Sequence, residues 1–427
     1  MHHVDLIIHN ARQLVTCASG EKPKRGAAML DVGIIENGAV AIADGKIIGV
    51  GKSSEILKSY SCANLIEAEG RIVCPAFVDP HTHIVFAGDR LNEFELKIKG
   101  ADYLEILANG GGIISTVWET REASLESLVT QSLKRLDKML ACGTTTVEIK
   151  TGYGLDTETE IKMLRVIEEL DKTHQIDIVP TFLAAHAVPP EFKDNADGYV
   201  DLICTEMLPQ AWAWYESSHF FGRVPLFADV FTEKNAFDLE QSKKVLNTAA
   251  SLGFRLKAHV DEFTNLGGSR AMIEMGAVSI DHLDAISDEE IGLLAKSDTI
   301  GIITPTVNFN FGTSHFADAR NLIDAGCAVA LSTDYNPGSA PCPSQAMAMA
   351  IACRYQKLLP SEALNAATIN AAHSISLGAR VGSIEVGKQA DIFILDTSDF
   401  RAVSNEFGGN LVRSVFKNGE VVVNNIN

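Results

Sequence analysis

Residues 74–90 read CPAFVDPHTHIVFAGDR: an apolar run, the triplet His81-Thr82-His83, a second apolar run, a glycine turn and Arg90. Side chains alternate faces along a strand, so histidines at i and i+2 point the same way. Imidazole is the commonest metal-binding side chain, and two on one face make half of a tetrahedral site. By itself the triplet is equally the end of a strand with two hydrogen-bonded histidines. The other candidate ligands decide between these readings.

Downstream, apolar runs alternate with amphipathic patterns. After 72–81 the runs fall at 142–153, 177–188, 227–232, 255–262, 277–283, 299–306 and 328–336. Strands apolar on both faces are those of a parallel sheet covered by helices. The clearest helix spans 157–172, where Thr157 and Glu160 suit a capping box and Ile161, Leu164, Ile167 and Leu170 form one stripe. Eight such strands with helices between them predict an α/β fold, a (β/α)8 TIM barrel over 74–379. An open doubly wound sheet is the alternative, but no G-x-G-x-x-G loop follows the first strand. The long 85–141 and 189–226 connections are expected to shape a substrate site.

Outside the barrel, 1–73 and 380–427 are rich in β-formers and turns. Asp44-Gly45 and Asn418-Gly419 each sit between strand-like runs, as hairpin turns do. Neither end is long enough for a sheet with its own core, so both are expected to join in one small β-sandwich domain.

The chain has 427 residues, 46% of them hydrophobic, and a formal net charge of −19. That charge argues against nucleic acid or an anionic membrane as partner. The eight cysteines are scattered without a C-x-x-C pair, which fits free thiols in a reducing, cytoplasmic setting. No signal peptide or apolar run of membrane-spanning length is evident. Gly110-Gly111-Gly112 lacks the lysine and hydroxyl residue of a phosphate loop and reads as a mobile loop near the site. Trp212, Trp214 and Tyr215 read as core rather than a partner surface.

Barrel active sites lie at the C-terminal ends of the strands. Those ends carry His81 and His83, Tyr153, His186, His259 and Glu262, His282 and Asp334. Several buried histidines at one mouth would each need a partner, and one metal satisfies several together. This set resembles the amidohydrolase superfamily, as do the split β segments and the C-terminal GSIEVGKQADIFILD. More closely, PAFVDPHTHIVFAGDR, EIKTGYGLD, HVDEF and LSTDYNPGS resemble the imidazolonepropionase family, in which histidine degradation proceeds by metal-dependent hydrolysis.

That resemblance implies metal ligands His81, His83, His259 and Asp334, with zinc or iron as the ion. Many superfamily members hold a second metal on a lysine ending strand four. Here that strand reads FADVFT and Lys234 follows it, so one metal is expected. His282 would stand beside the metal-bound water, and Glu262 would move a proton to the leaving nitrogen. The catalytic set is thus Glu262, His282 and Asp334. The substrate implied is 4-imidazolone-5-propanoate, an anion. Arg90 would grip its carboxylate, and Tyr103, Tyr153, His186, Glu262, Asn336, Gly338 and Ser339 would contact the rest. A homodimer is implied too. Two alternatives stand beside this reading: a related deaminase of cytosine or guanine type, for which Arg90 would have no task, and a metal-free binding protein on the same barrel.

Overall fold

The computed structural model describes residues 2–100 and 111–425. Eight parallel strands pair in chain order: Phe77–Asp79, Thr144–Lys150, Asp177–Ala185, Phe227–Thr232, Arg255–Val260, Ser279–His282, Ile300–Ile303 and Val329–Leu331. Helices separate them, among them Leu125–Ala141, Thr157–Thr173, Leu208–Ser217 and Leu239–Leu252. This is the (β/α)8 barrel that the periodicity predicts. Its seam is closed by side-chain hydrogen bonds and an isolated backbone bridge, Thr82 to Tyr335. Asp79 of the first strand accepts from the Ser332 hydroxyl at 2.6 Å and from the Thr333 amide at 3.2 Å, just past the eighth strand. The His83 amide donates to the Tyr335 carbonyl at 2.9 Å, so the two site-bearing segments are tied directly together.

Two expectations need correction. The run 72–81 is two strands rather than one. Ile72–Pro75 pairs antiparallel with Ile392–Leu395, and only Phe77–Asp79 joins the barrel. Across this switch the Ala76 amide donates to Asp391 and the Phe77 amide to Gly143. Both pieces are buried on both faces, so no change of polarity marks it. The long connections are also largely helical: 85–141 holds Leu91–Ile98, Ile113–Glu122 and Leu125–Ala141, and 189–226 holds Ala196–Leu202 and Leu208–Ser217.

Both ends of the chain join one sheet. Its order is Glu420–Asn424, Val412–Lys417, Ile392–Leu395, Ile72–Pro75, Leu6–Val15, Ile34–Ala43 and Lys46–Lys52, with Leu65–Glu67 alongside Leu6–Val15. The sheet curls until its hairpin turns meet. A Cβ on Gly45 would lie 3.2 Å from Asn418, and one on Gly419 would lie 2.8 Å from Ile42. All four turn residues have positive φ, as the two turn sequences require. Inside the curl pack Leu6, Ile8, Val40, Ile42, Ile392 and Phe416. Lys417 pins the sheet to the barrel, its Nζ lying 2.6 Å from Asp391 and 2.9 Å from Asp177.

Trp212, Trp214 and Tyr215 pack on the barrel core, as expected. No described helix is long and apolar enough to cross a membrane.

Candidate metal centre and substrate cavity

His81 and His83 follow the first strand with their Nε2 atoms 3.3 Å apart. His259, at the end of the fifth strand, brings its Nε2 to 3.4 Å from that of His83. Two carboxylates fix the rings. His81 Nδ1 is 2.6 Å from Asp281 Oδ2, and His259 Nδ1 is 3.1 Å from Asp229 Oδ1. A carboxylate accepts, so each Nδ1 donates and each Nε2 lone pair is turned inward. Burial, with Lys150 and the neighbouring imidazoles adding to it, holds His81 far below its usual range, so its ring is neutral.

Lone pairs converging in a dry site repel unless a cation lies between them. The edge of a tetrahedron with metal–nitrogen bonds of about 2.0–2.1 Å is about 3.3–3.4 Å, and these nitrogens have that spacing. Asp334 Oδ1 lies 3.6 Å from His81 Nε2 and 3.4 Å from His83 Nε2. His81, His83 and His259 form one group of metal-binding geometry, and His81, His282 and Asp334 form another that shares His81. Burial pushes the Asp334 carboxyl far above its ordinary value, and a neighbouring cation would reverse that push. The donor set therefore fits a divalent metal. Lys234 is exposed and does not enter the group.

His282 and Glu262 stand beside it, His282 Nε2 lying 3.8 Å from Glu262 Oε2. The other ring nitrogen of His282 is 3.0 Å from the Thr304 hydroxyl, while Nε2 is buried without a partner among the described residues. Burial, reinforced by Asp334, Asp284 and Glu233, raises the Glu262 carboxyl well above its usual value. His282 and Asp334 both have positive φ, at 85° and 48°, a backbone state that non-glycine residues rarely hold and that clusters at functional sites.

Under the histidines lies a layer of charge that sequence reasoning missed. Lys150 Nζ is 2.8 Å from Glu148 and 2.7 Å from Asp229, and Lys257 Nζ is 3.5 Å from Asp281. All five side chains are fully buried. The available signal was the presence of charges inside these apolar runs, since a buried charge requires a partner.

The site opens into a cavity of 460 Å3 lined by Arg90, Tyr153, His186, Glu262, Asn336, Gly338 and Ser339 together with His83, His259, His282 and Asp334 of the candidate metal group. Arg90 meets Glu93 fork to fork, Nε and Nη2 each 2.7 Å from a carboxylate oxygen. The outer edge of the guanidinium remains for a ligand. A Cβ on Gly338 would lie 2.3 Å from Arg90 Nη1, so the glycine admits the arginine. Glu93, which sequence reasoning did not single out, also accepts from Lys97 at 2.8 Å and the Gly112 amide at 2.9 Å.

His186 Nδ1 donates to the Gly152 carbonyl at 2.9 Å, and burial lowers this imidazole to about 3, so its Nε2 is an acceptor. The loop carrying Tyr153 is held by Glu160, which accepts from the Gly152, Gly154 and Leu155 amides. The cap of that helix is Asp156, accepting from the Thr159 amide, rather than the expected Thr157; Glu160 serves the loop instead of the cap. Asn336 is engaged within its own loop. It accepts from the Gly338 and Ser339 amides and donates to the Asp334 carbonyl, which positions Asp334. Tyr103 and Gly110 lie outside the described residues.

Residues 72–422 match the amidohydrolase family model, and the chain belongs to that family. Across its full length the chain is 52% identical to imidazolonepropionase from Chloroflexus aggregans, with 100% of both chains covered. It is 50% identical to that of Herpetosiphon aurantiacus, covering 100% of this chain and 99% of the relative. Within the amidohydrolases it is a member of the imidazolonepropionase family. Among solved structures, an adenosine deaminase from Xanthomonas campestris with bound zinc superposes at TM-score 0.70 and 19% identity, covering 99% of this chain and 94% of its own. Escherichia coli guanine deaminase superposes at 0.70 and 16%, covering 98% and 99%. At such identities they share the fold.

Proposed function

We propose that the protein hydrolyses the cyclic amide of 4-imidazolone-5-propanoate to N-formimidoyl-L-glutamate, using one divalent ion, zinc or iron, per subunit. The observation that carries this reading is one cavity holding both the converging histidine nitrogens and the Arg90 fork. His81, His83, His259 and Asp334 would hold the metal, which when bound supplies an acidified water and a charge that polarises the ring carbonyl.

The remaining work falls to the chain's own residues. Arg90, oriented by Glu93, takes the propanoate through two charge-assisted hydrogen bonds. The Tyr153 hydroxyl and His186 Nε2 also line the cavity and bound the substrate there, one able to donate and the other to accept. His282 Nε2 receives or orients a water proton beside Asp334. Glu262, whose carboxyl burial raises above its usual value, delivers a proton to the leaving ring nitrogen. Water's oxygen thereby bonds the carbonyl carbon, the ring carbon–nitrogen bond breaks, and the nitrogen leaves protonated.

A reducing cytoplasmic setting, suited to the eight unpaired cysteines, and a homodimer accompany this reading. The test is a spectrophotometric assay of metal-loaded protein with freshly generated substrate, with and without chelator. Chelator-sensitive turnover supports the proposal. Turnover of guanine or cytosine, with none of the imidazolone, would replace it with a deaminase.

A further inference from the structure

Glu233 lies beyond the fourth barrel strand, lines the substrate cavity and is only 4% exposed, yet the chemistry described above does not use it. Its Oε2 accepts from two consecutive backbone amides, Phe263 and Thr264, each at 3.0 Å. Its Oε1 accepts from the Lys234 amide at 2.8 Å, and its own amide donates to the Phe237 carbonyl at 3.1 Å. The carboxylate is thus fixed on its own loop at one oxygen and grips the turn after the fifth strand with the other.

That turn begins with Glu262. Its preceding residue, Asp261, has φ of 55° and is held from behind by the Ser269 hydroxyl and by the Ala285 amide on its carbonyl. Glu262 itself has no hydrogen bond to hold it among the described residues, so its position depends on the backbone on either side. Asp261 secures one side, and Glu233 is the grip on the other.

We infer that Glu233 is a positioning residue for Glu262, its carboxylate holding the Phe263 and Thr264 amides so that the Glu262 carboxyl faces the leaving nitrogen. The inference rests on the proton-delivery role assigned to Glu262. What matters is reach: one oxygen must accept both amides from across the gap between two loops. Glutamine keeps that reach and offers one carbonyl oxygen to the Phe263 and Thr264 amides, giving up only the contact with the Lys234 amide of its own loop, whereas aspartate keeps the charge but is shorter by one methylene.

The experiment compares Glu233→Gln, Glu233→Asp and Glu262→Gln in the full-length metal-loaded protein with 4-imidazolone-5-propanoate, recording kcat, KM and bound metal. The expected result is a kcat within about threefold of the unaltered protein for Glu233→Gln and about 10- to 100-fold lower for Glu233→Asp, as a displaced catalytic group produces. KM and bound metal stay within about twofold in both. Equal losses in the two variants, no loss in either, the reverse order, or loss of metal would overturn the positioning role. An undiminished rate in Glu262→Gln, or no turnover by the unaltered protein, would instead remove the reading beneath it, and the inference with it.

Discussion

Lys150 Nζ lies 2.7 Å from Asp229 Oδ2, with both side chains wholly buried, while the other oxygen of Asp229 takes the Nδ1 proton of His259. Burial works against the lysine's charge, but Asp229, then Glu148 and Asp281, outweigh it and hold the ammonium above its usual range. A candidate metal ligand is therefore oriented by an anion that is itself compensated by a cation from another strand. Lys150→Met would leave Glu148 and Asp229 without that charge, at a cost of about 3–5 kcal/mol. Thermal unfolding monitored by circular dichroism should show a clear fall in Tm; an unchanged Tm would mean the network is energetically idle.

Asp281 plays the corresponding part for His81. Asp281→Ala keeps every candidate ligand but frees the His81 ring, and should weaken metal binding about 10–100-fold. His81→Ala should abolish stoichiometric binding. Competition against a chromophoric chelator, with elemental analysis, separates the two effects. Equal affinity in Asp281→Ala and the unaltered protein would rule out an orienting role.

Arg90 and Gly338 should fail together. Arg90→Lys removes the fork, and Gly338→Ala places a methyl where Nη1 now lies. Charge-assisted hydrogen bonds contribute about 1.5–3 kcal/mol, so KM for the propanoate substrate should rise at least about tenfold in each variant. Metal content should stay unchanged. A rise in Arg90→Lys alone would show that the arginine has room to move.

Stability should depend on acid through the junction of sheet and barrel. Burial alone would raise the Asp177 carboxyl, but Lys417, then Gln389 and Arg380, outweigh it and hold the group below its ordinary value. A depressed carboxyl stabilises the fold above its unfolded value, near 3.9, and that contribution is lost as pH falls through the native value. Tm should drop as pH falls below about 4 more steeply in the unaltered protein than in Asp177→Asn. Parallel curves would assign the acid sensitivity elsewhere.

The strands and most of the site's walls were legible because their signals are local. Apolar runs marked the barrel, and histidines or carboxylates at the ends of those runs marked the mouth. Glu93 and Glu233 gave no such signal: Glu93 is one of two acids in the helix Leu91–Ile98, where an i,i+3 pairing with Arg90 looks like any surface helix pair, and Glu233 is one acid in a polar loop whose partner, the Phe263 amide, is defined only by tertiary folding. Glu160 misled because Asp156 and Thr157 are both good caps; a one-residue shift of the cap released it to hold the Tyr153 loop. The buried charges were visible but unread. Glu148, Lys150, Asp229, Lys257 and Asp281 each interrupt an apolar run, and only their convergence in the barrel shows that the signs compensate.

The strand Ile72–Pro75 pairs on one side with Leu6–Val15 and on the other with Ile392–Leu395. A ribosome delivers the first neighbour at once and the second only after the entire barrel. Throughout synthesis, then, one edge of this strand stays unpaired, a few residues upstream of His81. Exposed edges invite wrong pairing, and distant pairings form slowly. The nascent barrel must close its Asp79 seam while that edge waits, so a chain stopped short of Ile392 would keep every candidate metal-binding histidine and carry a sticky flank beside them.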